Sequence, residues 1–126
     1  MAAHERLICA SAALADGGPG VRFALGADEW AAVGFAIRYF GTVYAYVNRC
    51  PHAGTELDWQ HGEFFEESGL YLVCATHGAL FLPPTGLCVA GPCKGACLRS
   101  LRTREENGRV LLVNDSEPAC APDETP

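Results

Sequence analysis

Two short segments constrain this chain more than anything else in it: Cys50-Pro51-His52 and Cys74-Ala75-Thr76-His77. Each supplies one thiolate and one imidazole, as C-x-H and C-x-x-H. Each follows a run of β-forming residues, Val43-Tyr44-Ala45-Tyr46-Val47 before the first and Leu70-Tyr71-Leu72-Val73 before the second. A glycine follows each pair, Gly54 and Gly78. Glycine lets backbone turn sharply and come close to a bulky centre. Taken singly, a buried cysteine is a common small hydrophobe, and a lone histidine is usually structural. Two matched Cys/His loops at the ends of two strands point to metal.

Zinc is held by two Cys and two His in many structural sites. Those sites usually leave several residues between paired ligands, whereas Cys50 and His52 have only Pro51 between them. The spacing therefore favours an iron–sulfur centre, with a structural zinc domain as the weaker alternative.

The rest of the composition narrows the setting. Seven cysteines, an odd number, cannot all pair internally, and a secreted disulfide framework favours an even count in a shorter chain. The opening Met-Ala-Ala-His-Glu-Arg places an acid and a base where a secretory signal has its hydrophobic stretch. No apolar run approaches the ~20 residues of a membrane helix. A cytoplasmic protein without a membrane role is expected. The net charge of −6, with no basic stripe, argues against nucleic-acid binding.

The periodicity predicts an all-β fold with short strands and long loops. Leu7–Ala10 is a short apolar run, and Asp16–Gly20 is a turn signal. Val21, Phe23 and Leu25 alternate with Arg22 and Ala24, as in a half-buried strand. Gly34–Phe40 and Val43–Val47 flank Gly41-Thr42 as a hairpin. Leu70–Val73 is a third strand, preceded by an acidic turn at Glu66–Gly69. Leu98–Arg104 and Arg109–Val113 flank Glu105–Gly108, whose Asn-Gly marks another hairpin. Ser11–Ala15 is the only helix-like stretch. We expect one domain over residues 1–113, its metal-binding part at about 48–95, and a Pro- and acid-rich tail over 114–126.

With Cys50, His52, Cys74 and His77 in this pattern, the chain resembles the Rieske family. Gly54, Leu57, Gly78 and Phe81 fit its two loops, and Thr85-Gly86 and Gly91-Pro92 fit its downstream turn and proline loop. The resemblance implies an antiparallel β base, a sandwich or barrel, bearing a small cluster-binding subdomain of two loops plus the proline loop. It implies one Rieske-type 2Fe–2S cluster, with Cys50 and Cys74 on one iron and His52 and His77 on the other. The electron then goes to the histidine-ligated iron. The spacer between the loops is longer than the simplest bacterial ferredoxins need, and we assign the excess to a hairpin at His61–Gly69.

Within the family, respiratory-complex members carry two further cysteines that bridge the loops. Thr55 and Thr76 stand at those positions here, so that disulfide cannot form. The same proteins donate to the cluster from a Ser and a Tyr, and here those positions hold Ala79 and Phe81. Lost donors lower the potential, toward roughly −150 mV rather than +300 mV. The resemblance is to the ferredoxins of ring-hydroxylating dioxygenase systems and to the nitrite reductase small-subunit group. It implies a one-electron carrier between a flavoprotein reductase and a terminal oxygenase or other oxidoreductase, a component rather than a stand-alone enzyme. The alternative is a non-catalytic small subunit or redox-sensing binding module. No nucleotide-binding glycine fingerprint and no second redox domain after residue 113 are seen.

Cys88, Cys93 and Cys97 crowd near the proline loop. Without a local His or carboxylate to complete a ligand set, they read as small or free thiols rather than a second metal site, a thiol switch or a Cys93–Cys97 bridge. Cys9 reads as core and Cys120 as exposed. His61 reads as solvated, and Trp59 as packing beneath the loops.

Overall fold

In the computed structural model, which describes residues 5–25, 33–51, 56–58, 62–76 and 78–113, the chain forms ten strands. They are β1 (Glu5–Ala10), β2 (Val21–Ala24), β3 (Val33–Tyr39), β4 (Thr42–Val47), β5 (Leu72–Val73), β6 (Leu80–Phe81), β7 (Cys88–Ala90), β8 (Ser100–Leu101), β9 (Thr103–Glu106) and β10 (Arg109–Val113). They build three sheets ordered β1-β10-β9, β2-β3-β4-β8 and β5-β6-β7. Every strand pairing within these sheets is antiparallel. The all-β class is as the sequence predicts.

The β3–β4 hairpin is the central element, because both its faces are covered. Successive side chains on a strand point to opposite faces. Phe35, Ile37 and Tyr46 face one core together with Leu57, Phe64, Leu72, Phe81 and Leu98. Ala36 and Ala45, directly paired across the hairpin, face a second core with Leu14 and Val110. Ile8, Cys9, Val21 and Phe23 pack against that second core. Aromatics on one side thus support the third sheet and its loops, and small alanines on the other let the β1-β10-β9 sheet come close. Arg38 of β3 ties the two layers by an ion pair with Glu105 of β9 at 2.7 Å.

The expected hairpins form with tighter turns. Tyr39 pairs with Thr42, so the loop is Phe40-Gly41, with φ of +48° and +85°. Glu106 pairs with Arg109, leaving Asn107-Gly108 at +53° and +74°. Two consecutive positive φ values match the right-handed twist of the flanking strands. The run expected from Leu98 to Arg104 is not one strand. Ser100–Leu101 pairs with β4, and Thr103–Glu106 pairs with β10, so the chain changes sheets at Arg102. The third strand shortens to Leu72–Val73, because the turn at Glu66–Gly69 reaches Tyr71, whose carbonyl accepts from Glu66 N–H at 2.9 Å. The helix-like stretch is a single 3₁₀ turn, Ser11–Ala13.

Within the longer spacer a hairpin pairs Phe64-Phe65 with Leu72-Val73, so it closes later than the expected Gly69, and His61 lies outside the described residues. Phe65 bridges to Leu72, and Val73 N–H donates to Phe64 O at 2.9 Å. The Phe64 ring is fully buried and stacks on Phe35 with centroids 3.9 Å apart. No helix among the described residues is long and apolar enough to cross a membrane. The tail over 114–126, with Cys120, lies outside the described residues.

Candidate metal centre

The first loop leaves β4 and is closed on itself by one asparagine. Asn48 Oδ1 accepts from Leu57 N–H at 2.8 Å, and Asn48 Nδ2 donates to Asp58 Oδ1 at 2.9 Å. Asp58 also accepts from Gly62 N–H at 3.0 Å and from Arg22 Nη1 at 3.0 Å. Arg22 reaches Glu56 as well, at 3.1 Å. Burial by itself would raise the Asp58 pKa, but the hydrogen bonds from Asn48, Gly62 and Arg22, with the Arg22 charge, hold it below the usual carboxylate range. A carboxylate with no exposed side-chain surface is tolerable only when satisfied in this way. The network brackets the segment that carries Cys50.

The second loop is a tight connection between β5 and β6. Cys74 N–H donates to Ala79 O at 2.9 Å, and Gly78 N–H to Cys74 O at 2.8 Å. Gly78 sits at φ +75°. Ala75 N–H donates to Leu57 O at 2.9 Å, which fastens this loop to the first. The proline loop then lies against it. A Cβ on Gly91 (φ +101°) would meet Ala79 Cα at 2.8 Å. Only glycine combines that backbone conformation with that approach. Gly91→Ala is expected to cost about 3 kcal/mol, from strain and overpacking together. Denaturant titration checks this, and an unchanged midpoint would show that the loop is free to move away.

Cys50 and Cys74 are both buried, 1% and 0% exposed, and their thiols adjoin each other. Burial pushes the Cys74 thiol up, and the neighbouring Cys50 adds to this. Hydrogen bonds from the Thr76 N–H and hydroxyl to the Cys74 sulfur oppose it. Two soft sulfur donors side by side, held by backbone that closes without them, suit zinc, copper(I) or an iron–sulfur centre. Loading the site must displace the Cys74 thiol proton, which burial holds in place. His52 and His77, the other two expected ligands, lie outside the described residues, as do Gly54, Thr55, Trp59 and His61.

Three features of the site escape a reading along the sequence, which singles out Ala79 and Phe81 but not the others. Asn48, Asp58 and Arg22 look like ordinary polar residues until the fold brings β2 against the first loop. Thr76 supplies a hydroxyl to the Cys74 sulfur, at a position the resemblance marks only for a disulfide that cannot form. Ala79 and Phe81 are fully buried, as residues packed beneath a metal loop should be. Cys93 adjoins both Cys88 and Cys50, and burial and these two neighbours push its thiol up to about 12.

The remaining cysteines are partly as expected. Cys9 is free and only partly buried, and Cys88 and Cys93 are free and buried. Cys97 is disulfide-bonded, which corrects the expectation of a free thiol. Its bond is not to Cys93, which is free. Among the described residues, no group of three or more Cys, His, Asp or Glu side chains is placed to hold a metal ion.

A family model for the Rieske [2Fe-2S] domain matches residues 4–112. No curated protein sequence matches the chain. Several solved structures are similar to it. The ferredoxin of carbazole 1,9a-dioxygenase from Nocardioides aromaticivorans IC177 has a TM-score of 0.67 at 24% identity, covering 88% of this chain and 98% of that one. For Sphingomonas yanoikuyae B1 ferredoxin the TM-score is 0.68 at 23% identity, with 89% and 100% covered. The terminal oxygenase of carbazole 1,9a-dioxygenase from Novosphingobium sp. KA1 gives 0.72 at 28% identity, over 91% of this chain and 31% of that chain.

Proposed function

The chain belongs to the Rieske [2Fe-2S] domain family and carries one Rieske-type cluster, and from that premise we propose that it is a one-electron carrier serving a terminal oxygenase. The observation that carries this reading is the pair of buried, adjoining thiols of Cys50 and Cys74 on two loops fastened together by backbone. We assign Cys50 and Cys74 to one iron, and His52 and His77 to the other. The cluster, when bound, takes up and gives back one electron. The protein's own part is to hold the ligands fixed, so that little rearrangement accompanies the change of charge. Asn48, Asp58 and Arg22 do this for the first loop, and the Cys74–Ala79 backbone bonds do it for the second.

The likeness to oxygenase-system ferredoxins supports the choice of partner. A flavoprotein reductase in the cytoplasm is the donor this reading requires. Protein purified without oxygen is expected to contain iron and acid-labile sulfide in equal amounts, to be reduced by such a reductase, and to be reoxidised by an oxygenase. Zinc without sulfide would overturn the metal assignment. A stable complex with a large enzyme, in which the cluster never turns over, would favour the small-subunit role.

We place the potential toward the low end of the Rieske range, because Ala79 and Phe81 carry no hydroxyl. The hydroxyl of Thr76 works the other way, since a donor to a ligand sulfur stabilises the more negative reduced state. Thr76→Val is expected to lower the midpoint by roughly 40 mV, the equivalent of one net hydrogen bond of about 1 kcal/mol. Ala79→Ser with Phe81→Tyr is expected to raise it. Voltammetry of the loaded protein reads both. A Thr76→Val midpoint equal to wild type would remove this hydroxyl from the account.

A further inference from the structure

β7 and the loop that follows it form a closed unit. Cys88 N–H donates to Ala96 O at 2.8 Å, and Gly95 N–H donates to Cys88 O at 2.9 Å. Within the loop, Ala96 N–H donates to Cys93 O at 2.8 Å and Lys94 N–H to Gly91 O at 3.2 Å. These bonds fold the loop back on its own strand and bring Cys93 over Cys88. The two sulfurs are 3.1 Å apart, with the Cys93 thiol donating to Cys88. The Cys88 thiol is engaged in turn by Ala90 O at 3.2 Å. Both residues are free and buried, Cys88 at 1% exposed and Cys93 at 7%. Electron transfer through Cys50, His52, Cys74 and His77 has no use for either.

A disulfide needs its sulfurs at ~2.05 Å, so closure asks for a movement of about an ångström between atoms already aimed at each other. The same loop carries Gly91 against Ala79 of the second metal loop, and Cys93 adjoins Cys50 of the first. We propose that Cys88 and Cys93 are a dithiol–disulfide couple, oxidised by low-molecular-weight disulfides such as glutathione disulfide, that locks the proline loop onto β7. When local opening of the loop lets water reach Cys93, the more exposed of the two, its thiol ionises and attacks one sulfur of glutathione disulfide, the proton passing to water. One glutathione leaves as its thiol, and a mixed disulfide remains on Cys93. Cys88 then attacks the Cys93 sulfur, gives up its own proton, and expels the second glutathione. The protein loses two electrons and two protons, and one glutathione disulfide becomes two glutathiones. Reduction runs the same steps backwards. The ring so formed is short, so the constraint falls on the loop and not on the whole chain.

The test uses the loaded protein, equilibrated without oxygen in glutathione buffers from mostly reduced to mostly oxidised. Samples are quenched in acid, alkylated in denaturant and mapped by peptide mass spectrometry. Alkylation of Cys88 and Cys93 is expected to fall together, about tenfold or more across the series, with a cross-linked species lighter by two hydrogens. Cys88→Ala is expected to trap glutathione on Cys93, and Cys93→Ser to give no cross-link. The proposal is overturned if both thiols of the wild type stay alkylatable at the most oxidising ratio. It is also overturned if Cys93 keeps its glutathione without closing, or bridges to Cys50. Iron and sulfide content, read on the same samples, reports separately on the ligand assignment. Metal loss with an intact Cys88–Cys93 cross-link counts against the first and not the second. Should either variant fail to fold, the wild-type series decides alone.

Discussion

Cys74→Ser is expected to leave the folded protein with iron and sulfide at background level. The hydroxyl is a harder and far less acidic donor than the thiol, and the position is fully buried. Forming an alkoxide there would add a desolvation penalty to an already unfavourable ionisation. The loop itself does not need the sulfur, since Cys74 N–H to Ala79 O and Gly78 N–H to Cys74 O are backbone bonds. Loss of metal should therefore appear without loss of β structure, and circular dichroism separates the two. Cys50→Ser is expected to behave alike. A variant with unchanged visible absorption and potential would show that the ligand assignment is wrong.

Asp58→Ala is expected to destabilise the protein by about 3 kcal/mol, because it leaves the Asn48 amide and the Gly62 N–H without their acceptor and Arg22 with only its exposed partner Glu56. Asp58→Asn isolates the charge. The folded pKa of Asp58 lies below its unfolded value. Its contribution is therefore complete above the unfolded pKa, about 4, and drains away as pH falls through the folded one. The gap between wild type and Asp58→Asn should be widest near neutrality and should narrow in acid below about pH 4. Denaturant titrations at pH 7 and pH 3 read it. A gap that stays the same at both would mean that shape, and not charge, carries the network.

What could be read along the chain was what is local to it. Asn107-Gly108 announces its hairpin because two positive φ values in a row are a property of those two residues. The Cys/His pairs announce metal because ligand spacing is itself a sequence property. The change of sheets at Arg102 was hidden, since nothing in Leu98–Arg104 says that β4 takes the first half and β10 the second. The loop Phe40-Gly41 lies one residue before the expected Gly41-Thr42 turn for a similar reason. Register with β4 decides it, and phenylalanine is a poor advertisement for φ +48°. Asp58 gives no sign of its role in the sequence, because that role depends on Arg22 of β2, which only the folded chain brings alongside. The disulfide at Cys97 gave no signal in its spacing.

The two-faced hairpin has a practical consequence for anyone wiring this protein to a surface. β1 and β10 pair with each other behind Ala36 and Ala45, whereas Cys50 and Cys74 belong to the core in front of Phe35 and Tyr46. An anchor placed on the solvent side of the β1–β10 pair, at Arg6 or Arg109 for instance, holds the molecule by its back. Immobilised there, every copy presents the loops of Cys50 and Cys74 outward to an approaching partner. One grafted near Lys94 would turn the same loops toward the support.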